Sequence, residues 1–128
     1  MKAPRHPVFW AAAFLLWFGA LWLLSSRAHH GPEMPPIPHI DKILHFGYFF
    51  GGGGLLGATL FRLNPANPSW PKIIGFTVLL LALVGGLDEW RQSHVPGRSG
   101  NDLGDWIADV LGALCGVLVF KKFHRWLR

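Results

Sequence analysis

Cysteine is all but missing from this chain. Cys115 stands alone, which excludes an intrachain disulfide and a metal site built on several thiolates. Set mid-span among Leu, Gly and Val, it reads as a small hydrophobe. Charge is also scarce. Asp, Glu, Lys and Arg make up 15% of 128 residues against 51% hydrophobic ones, too little polar surface to clothe a soluble protein of this size. A buried helical core is the competing reading, but apolar stretches nearly fill the chain. Internal repeats, a diagnostic nucleophile and a phosphatase-type motif are absent as well. "GGGG" at Gly51 to Gly54 is followed by no Lys-Ser/Thr and lies inside an apolar run. It therefore reads as a close-packing or deformable segment and not as a phosphate loop.

What is plentiful is aromatic and aliphatic. Seven tryptophans and ten phenylalanines suit a chain whose ring belts sit at both faces of a bilayer. Four apolar spans, about 8–26, 41–61, 70–90 and 104–121, are separated by segments rich in Pro, Gly and Asn that stop helices and turn the chain. The expectation is an all-α polytopic membrane protein, a bundle of four transmembrane helices forming a single domain over 1–128. The third apolar run is the shortest, so its helix is expected to begin near Trp70 or to run on through Asp88 and Glu89. Lys2 and Arg5 before the first span, with "SRA" behind it, also fit a secretory signal. Its length and Trp10, Trp17 and Trp22 favour a retained helix.

Charge then predicts orientation, because Lys and Arg near span ends stay cytoplasmic. The N-terminus (Lys2, Arg5), the second loop (Arg62, Lys72) and the C-terminus (Lys121, Lys122, Arg125, Arg128) fall on one side and carry no acid. Both termini are thus expected in the cytoplasm. Glu33, Asp41, Asp88, Glu89, Asp102, Asp105 and Asp109 all fall on or near the outer face, with Arg27, Lys42, Arg91 and Arg98.

Helical spacing gathers some of these groups. Asp41 and His45 are four apart at the entry to the second span, Asp88 and Gln92 are four apart at the end of the third, and Glu89 is turned about 100° from Asp88. Asp105, Asp109, Gly112 and Gly116 fall at intervals of four, three and four, a stripe in which the glycines admit a close neighbour below the aspartates. Ionisable groups at membrane depth are costly and usually face the bundle interior. Two readings stand side by side. The groups satisfy one another, for example His45 with Asp88 or Arg98 with Asp105, and so lock the helices. Alternatively they form a site. Arg98, in "VPGRSG", has the planar fork that suits a phosphate or carboxylate. His29, His30, Glu33 and His39 lie in a Pro-rich loop that reads as solvated, with weak transition-metal affinity as the alternative.

"DKILHFGYFFGGGGLLG" followed by "GGLDEWRQSHVPGRSGNDLGDWIADVLGALCG" resembles the VanZ-like family of small bacterial membrane proteins, in the family's order from Asp41 to Gly116. Matching positions are Asp41, Lys42, His45, Asp88, Glu89, Gln92, Pro96, Gly97, Arg98, Asp105, Asp109 and Gly112. Many members have asparagine at the position of Asp109, and an apolar residue is common where His94 stands. The family is named for a protein associated with low-level teicoplanin resistance, so the resemblance implies a multi-pass protein of the bacterial inner membrane with a cell-envelope role and a family-level link to glycopeptide resistance. It implies no known reaction.

Three functions from different classes fit these residues. The first is a module that binds or handles a lipid-linked or anionic wall precursor through Asp41, Lys42, His45, Asp88, Glu89, Gln92, Arg98, Asp105 and Asp109. Because acids outnumber bases there, some carboxylates must then be protonated, paired or bridged by a divalent cation, although no metal-ligand set stands out. The second is a small membrane-embedded hydrolase or transferase with Glu89 or Asp88 as general base and His45 as proton shuttle. The third is a structural partner of envelope machinery. The bilayer is the expected partner in every case, an oligomer is compatible, and nothing points to nucleic acid.

Overall fold

The computed structural model describes residues 4–26, 39–97 and 100–127. It contains four long helices, α1 (Pro7–Ser25), α2 (Ile40–Leu63), α3 (Trp70–Gln92) and α4 (Leu103–Phe123), and a short 3₁₀ turn, His124–Leu127. No strand occurs among the described residues. All four are long and apolar enough to cross a membrane. α3 both begins at Trp70 and continues through Asp88 and Glu89, so each way of lengthening the short third span is realised.

Local chemistry sets the helix ends. Pro7 and Pro71 occupy the first turns of α1 and α3, where a missing N–H costs nothing. Asp102 caps α4, its Oδ1 accepting from the amides of Gly104 (2.8 Å) and Asp105 (3.4 Å). Asn101 just before it has a positive φ of 57°, and Gly97 in the preceding turn one of 79°.

α2 and α4 form the most extensive pair, with α1 against α2 and α3 against α4. Glycine explains the intimacy of the central pair. A Cβ at Gly112 would collide with the carbonyl of Phe46, one at Gly116 with that of Phe50, and one at Gly53 with the backbone of Ala113. The two backbones therefore touch directly, as small residues allow between membrane helices. Of the four consecutive glycines, Gly53 and Gly54 lie on this seam, against Ala113 and Gly116, while Gly52 packs against the Trp17 ring of α1 and Gly51 faces open space. Around this seam Leu21, Phe49, Leu56, Leu81, Val84 and Ala113 make one buried cluster, and Phe61, Ile73 and Val117 make another toward the opposite end.

Outward faces are apolar. Leu15, Leu16, Phe76, Leu79, Leu83, Leu111 and Leu118 are all exposed, a surface suited to lipid tails and not to water. The chain is therefore a multi-pass membrane protein, associated with a bilayer through all four helices. The bundle interior turns polar toward the end where α1 finishes, α2 starts, α3 finishes and α4 starts. Ser25, Asp88, Glu89, Gln92, Asp105 and Asp109 are buried there.

Candidate functional site: a carboxylate cluster around His45

The α2–α4 seam fixes the centre of the polar end. His45 stands one residue before Phe46, whose carbonyl rests on Gly112, so its ring reaches α4 one turn above that contact. There His45 Nδ1 meets Asp109 Oδ1 at 2.8 Å. An ionised carboxylate only accepts, so Nδ1 is the donor and Nε2 is the nitrogen left for other partners. Nε2 lies 3.6 Å from Asp105 Oδ2 and 4.0 Å from Glu89 Oε1. Neither separation is a hydrogen bond of ordinary length.

α3 contributes two adjacent carboxylates that lead in different directions. Asp88 accepts from Gln92 Nε2 at 2.8 Å and from the hydroxyl of Ser25 at the end of α1. Glu89 Oε2 accepts the Asp102 amide at 2.9 Å, which ties α3 to the start of α4. Among the described residues, its other oxygen, Oε1, is buried without a hydrogen-bond partner, and so is Asp109 Oδ2. Asp109 lies over Gly85, where a Cβ would come within 2.8 Å of Oδ2. The absent side chain at Gly85 is what admits the aspartate.

A second acidic group sits at the rim. Lys42 Nζ contacts Asp41 Oδ2 (3.2 Å), Asp105 Oδ1 (3.2 Å) and Asp102 Oδ2 (3.5 Å). Asp102 lies outside the membrane-spanning segments. Hydrogen bonds from the Gly104 and Asp105 amides, aided by Lys42, hold its carboxyl below the usual aspartate range. Asp105 joins the two groups, one oxygen to Lys42 and the other toward His45.

The structure thus brings together Lys42, His45, Glu89, Asp105 and Asp109, with Asp88 and Gln92 alongside. It differs from the spacing argument in two respects. Asp41 does not share a contact with His45. The adjacent Lys42 draws its half-exposed carboxylate toward the rim. His45 pairs with Asp109 and not Asp88, because the α2–α4 seam sets its register while Ser25 and Gln92 hold Asp88. Asp105 is matched by Lys42, whereas Arg98 lies outside the described residues, as do His29, His30 and Glu33. Among the described residues His39 joins no ligand group; it precedes α2, with a positive φ of 61°.

Two contributors escape a spacing analysis. Ser25 is buried against Asp88, and only its place at the polar end of α1 could have flagged it. Asp102, in "GNDLGD", carries a readable helix-start signal that accounts for its cap, while its contact with Lys42 depends on how α2 meets α4. Arg91 turns to α1, its guanidinium 3.6 Å from the centroid of the Trp22 ring and donating to Ser26. An apolar trough of about 730 Å³ runs along α1 past Leu15, Phe18, Gly19 and Trp22 and is closed by Leu87 of α3, next in sequence to Asp88.

No curated protein and no solved structure matches the chain. A family model described as VanZ/LLP1 matches residues 6–126, a segment that contains every residue of the cluster. On that match, over nearly its whole length, the chain belongs to the VanZ/LLP1 family.

Proposed function

We propose that this chain forms a single membrane domain in the bacterial inner membrane and binds a lipid-linked anionic envelope precursor from the extracytoplasmic side. The observation that carries the reading is the apolar trough along α1, which ends beside Leu87 and Trp22, next to a buried cluster of chemically versatile groups. A ligand with a long hydrocarbon tail and a charged head needs that combination. Orientation follows from the basic residues Arg5, Arg62, Lys72, Lys121, Lys122 and Arg125 at the opposite end, which favour the cytoplasm. The binding residues are Asp41, Lys42, His45, Asp88, Glu89, Gln92, Arg98, Asp105 and Asp109. Lys42 supplies positive charge for the anion, Arg98 is assigned to the same role from the sequence alone, and Arg91 on Trp22 stands at the head of the trough. Asp41, Asp88, Glu89, Asp102, Asp105 and Asp109 outnumber the bases, so a divalent cation shared between carboxylates and head group completes the charge balance. The family's link to teicoplanin resistance is compatible with such a ligand.

Native mass spectrometry of the chain in micelles with a polyprenyl phosphate, and separately with the neutral polyprenol, tests this. The phosphate is expected to be retained, to be lost with a chelator, and to be weakened by Gly19→Phe. Gly19 lines the trough with no atom near its missing Cβ, so the new ring fills tail space without disturbing a contact. Equal retention of the neutral alcohol, or of neither lipid, overturns the proposal.

A further inference from the structure

We infer that His45, Glu89 and Asp88 bind a divalent transition-metal ion of the Zn²⁺ or Mn²⁺ type, with Asp109 orienting the histidine. One ligand atom from each of the three residues lies within 4.8 Å of the others, a span that a shared ion at ordinary bond lengths closes with small side-chain movements.

Acidic residues alone would not make a site, but two further features point to an ion. Glu89 is buried, only 4% exposed, and among the described residues its Oε1 has no hydrogen-bond partner, although it faces His45 Nε2 across 4.0 Å. That gap is too long for a hydrogen bond, and a shared cation would draw the two atoms in to about 3.4 Å, the spacing of neighbouring ligands at ordinary bond lengths in a tetrahedral site. A carboxylate oxygen without a hydrogen bond at membrane depth is costly, and a bound cation offsets that cost. The second feature is the bond from His45 Nδ1 to Asp109. A metal-bound imidazole characteristically donates its other N–H to a carboxylate, which fixes the ring and leaves Nε2 as the ligand. Asp105 Oδ2, 3.6 Å from Nε2, stands beside this group as a further oxygen donor.

The imidazole also selects the ion. Mg²⁺ and Ca²⁺ prefer oxygen alone, whereas mixed imidazole and carboxylate sets suit first-row transition metals and zinc. The other acidic group, Asp41, Asp102 and Asp105, carries no such inference because Lys42 already sits among its oxygens. Naming the cation deepens the function proposed above and rests on it only for the anion that would share the metal. Metal binding itself is measured without lipid, so either idea can fail alone.

The test is calorimetric titration of chelator-stripped, tag-free chain in detergent micelles with Zn²⁺, and with Mn²⁺ followed by its paramagnetic resonance. One ion per chain is expected, with Mg²⁺ and Ca²⁺ failing to displace it. Glu89→Gln and His45→Gln should each weaken binding at least a hundredfold, and Asp109→Asn roughly tenfold as a positioning residue. His124→Gln at the opposite end should bind as the parent chain does. Circular dichroism checks that each variant is folded. Should Glu89→Gln not fold, the parent chain still decides, since its melting temperature must rise with added Zn²⁺. No saturable binding by the parent, or full binding by folded Glu89→Gln and His45→Gln, overturns the inference.

Discussion

The two acidic groups at the polar end of the bundle are built from the same residue types and share Asp105, yet they solve opposite problems. At the rim, Lys42 sits among Asp41, Asp102 and Asp105, and Asp102 is further satisfied by the amides at the start of α4. The partly exposed charges of Lys42, Asp41 and Asp102 are matched locally and contribute little to stability. One turn deeper, among the described residues, Glu89 and Asp109 each keep one buried oxygen without a hydrogen bond, and His45 reaches only Asp109 at hydrogen-bond distance. Sequence composition does not separate the groups. Depth does, because a carboxylate beyond the reach of water and of Lys42 depends on whatever cation or donor the bundle can supply.

The variant that breaks the comparison most thoroughly acts on neither group. Gly112 carries the Phe46 carbonyl one turn below Asp109. Gly112→Leu should force α2 from α4, lose about 3 kcal/mol, and dissolve both groups, as read by thermal melting in micelles. Asp109→Ala should affect the inner group alone. It leaves His45 Nδ1 buried without its acceptor, at a cost of about 2 kcal/mol, while Lys42 and its partners stay in place, visible as unchanged rim resonances by NMR. Ser25→Ala removes the α1 donor to Asp88 and should cost about 0.6 kcal/mol, measured by the same melting experiment and with the rim again untouched.

The smallest effect belongs to the rim and depends on pH. Asp102 has a folded pKa below its ordinary value because the Gly104 and Asp105 amides bond its ionised form. Its contribution is therefore present above the ordinary aspartate range of roughly 4 and is lost as pH falls through the lower folded pKa. Asp102→Asn should flatten that acid-side loss in a melting-versus-pH series. An unchanged slope would assign the acid sensitivity elsewhere.

Which parts of this were legible beforehand follows from the range of the interactions. The four helices follow from apolar length, and the Asp105, Asp109, Gly112, Gly116 stripe from spacing within one helix, because both are local properties of the chain. Gly112 and Gly116 do meet another backbone, that of α2. The pairing of His45 with Asp109 depends on how far α2 slides along α4, and no spacing within either helix encodes that register. The partnership of Ser25 with Asp88 was hidden for the same reason, since it joins residues on two helices. The capping role of Asp102 was locally written in "GNDLGD", although its bond through the backbone to Glu89 was not.

The central claim, proposed above, is that the inner group holds the cation for an envelope ligand whose anion Lys42 meets at the rim. The most direct measurement is the level of lipid-linked phosphate in cells lacking the chain and complemented with the parent or with Glu89→Gln at matched membrane abundance. Glu89→Gln should reproduce the lipid profile of the uncomplemented cells. A parental profile from Glu89→Gln at equal abundance would contradict the account and leave the cluster as a lock between helices.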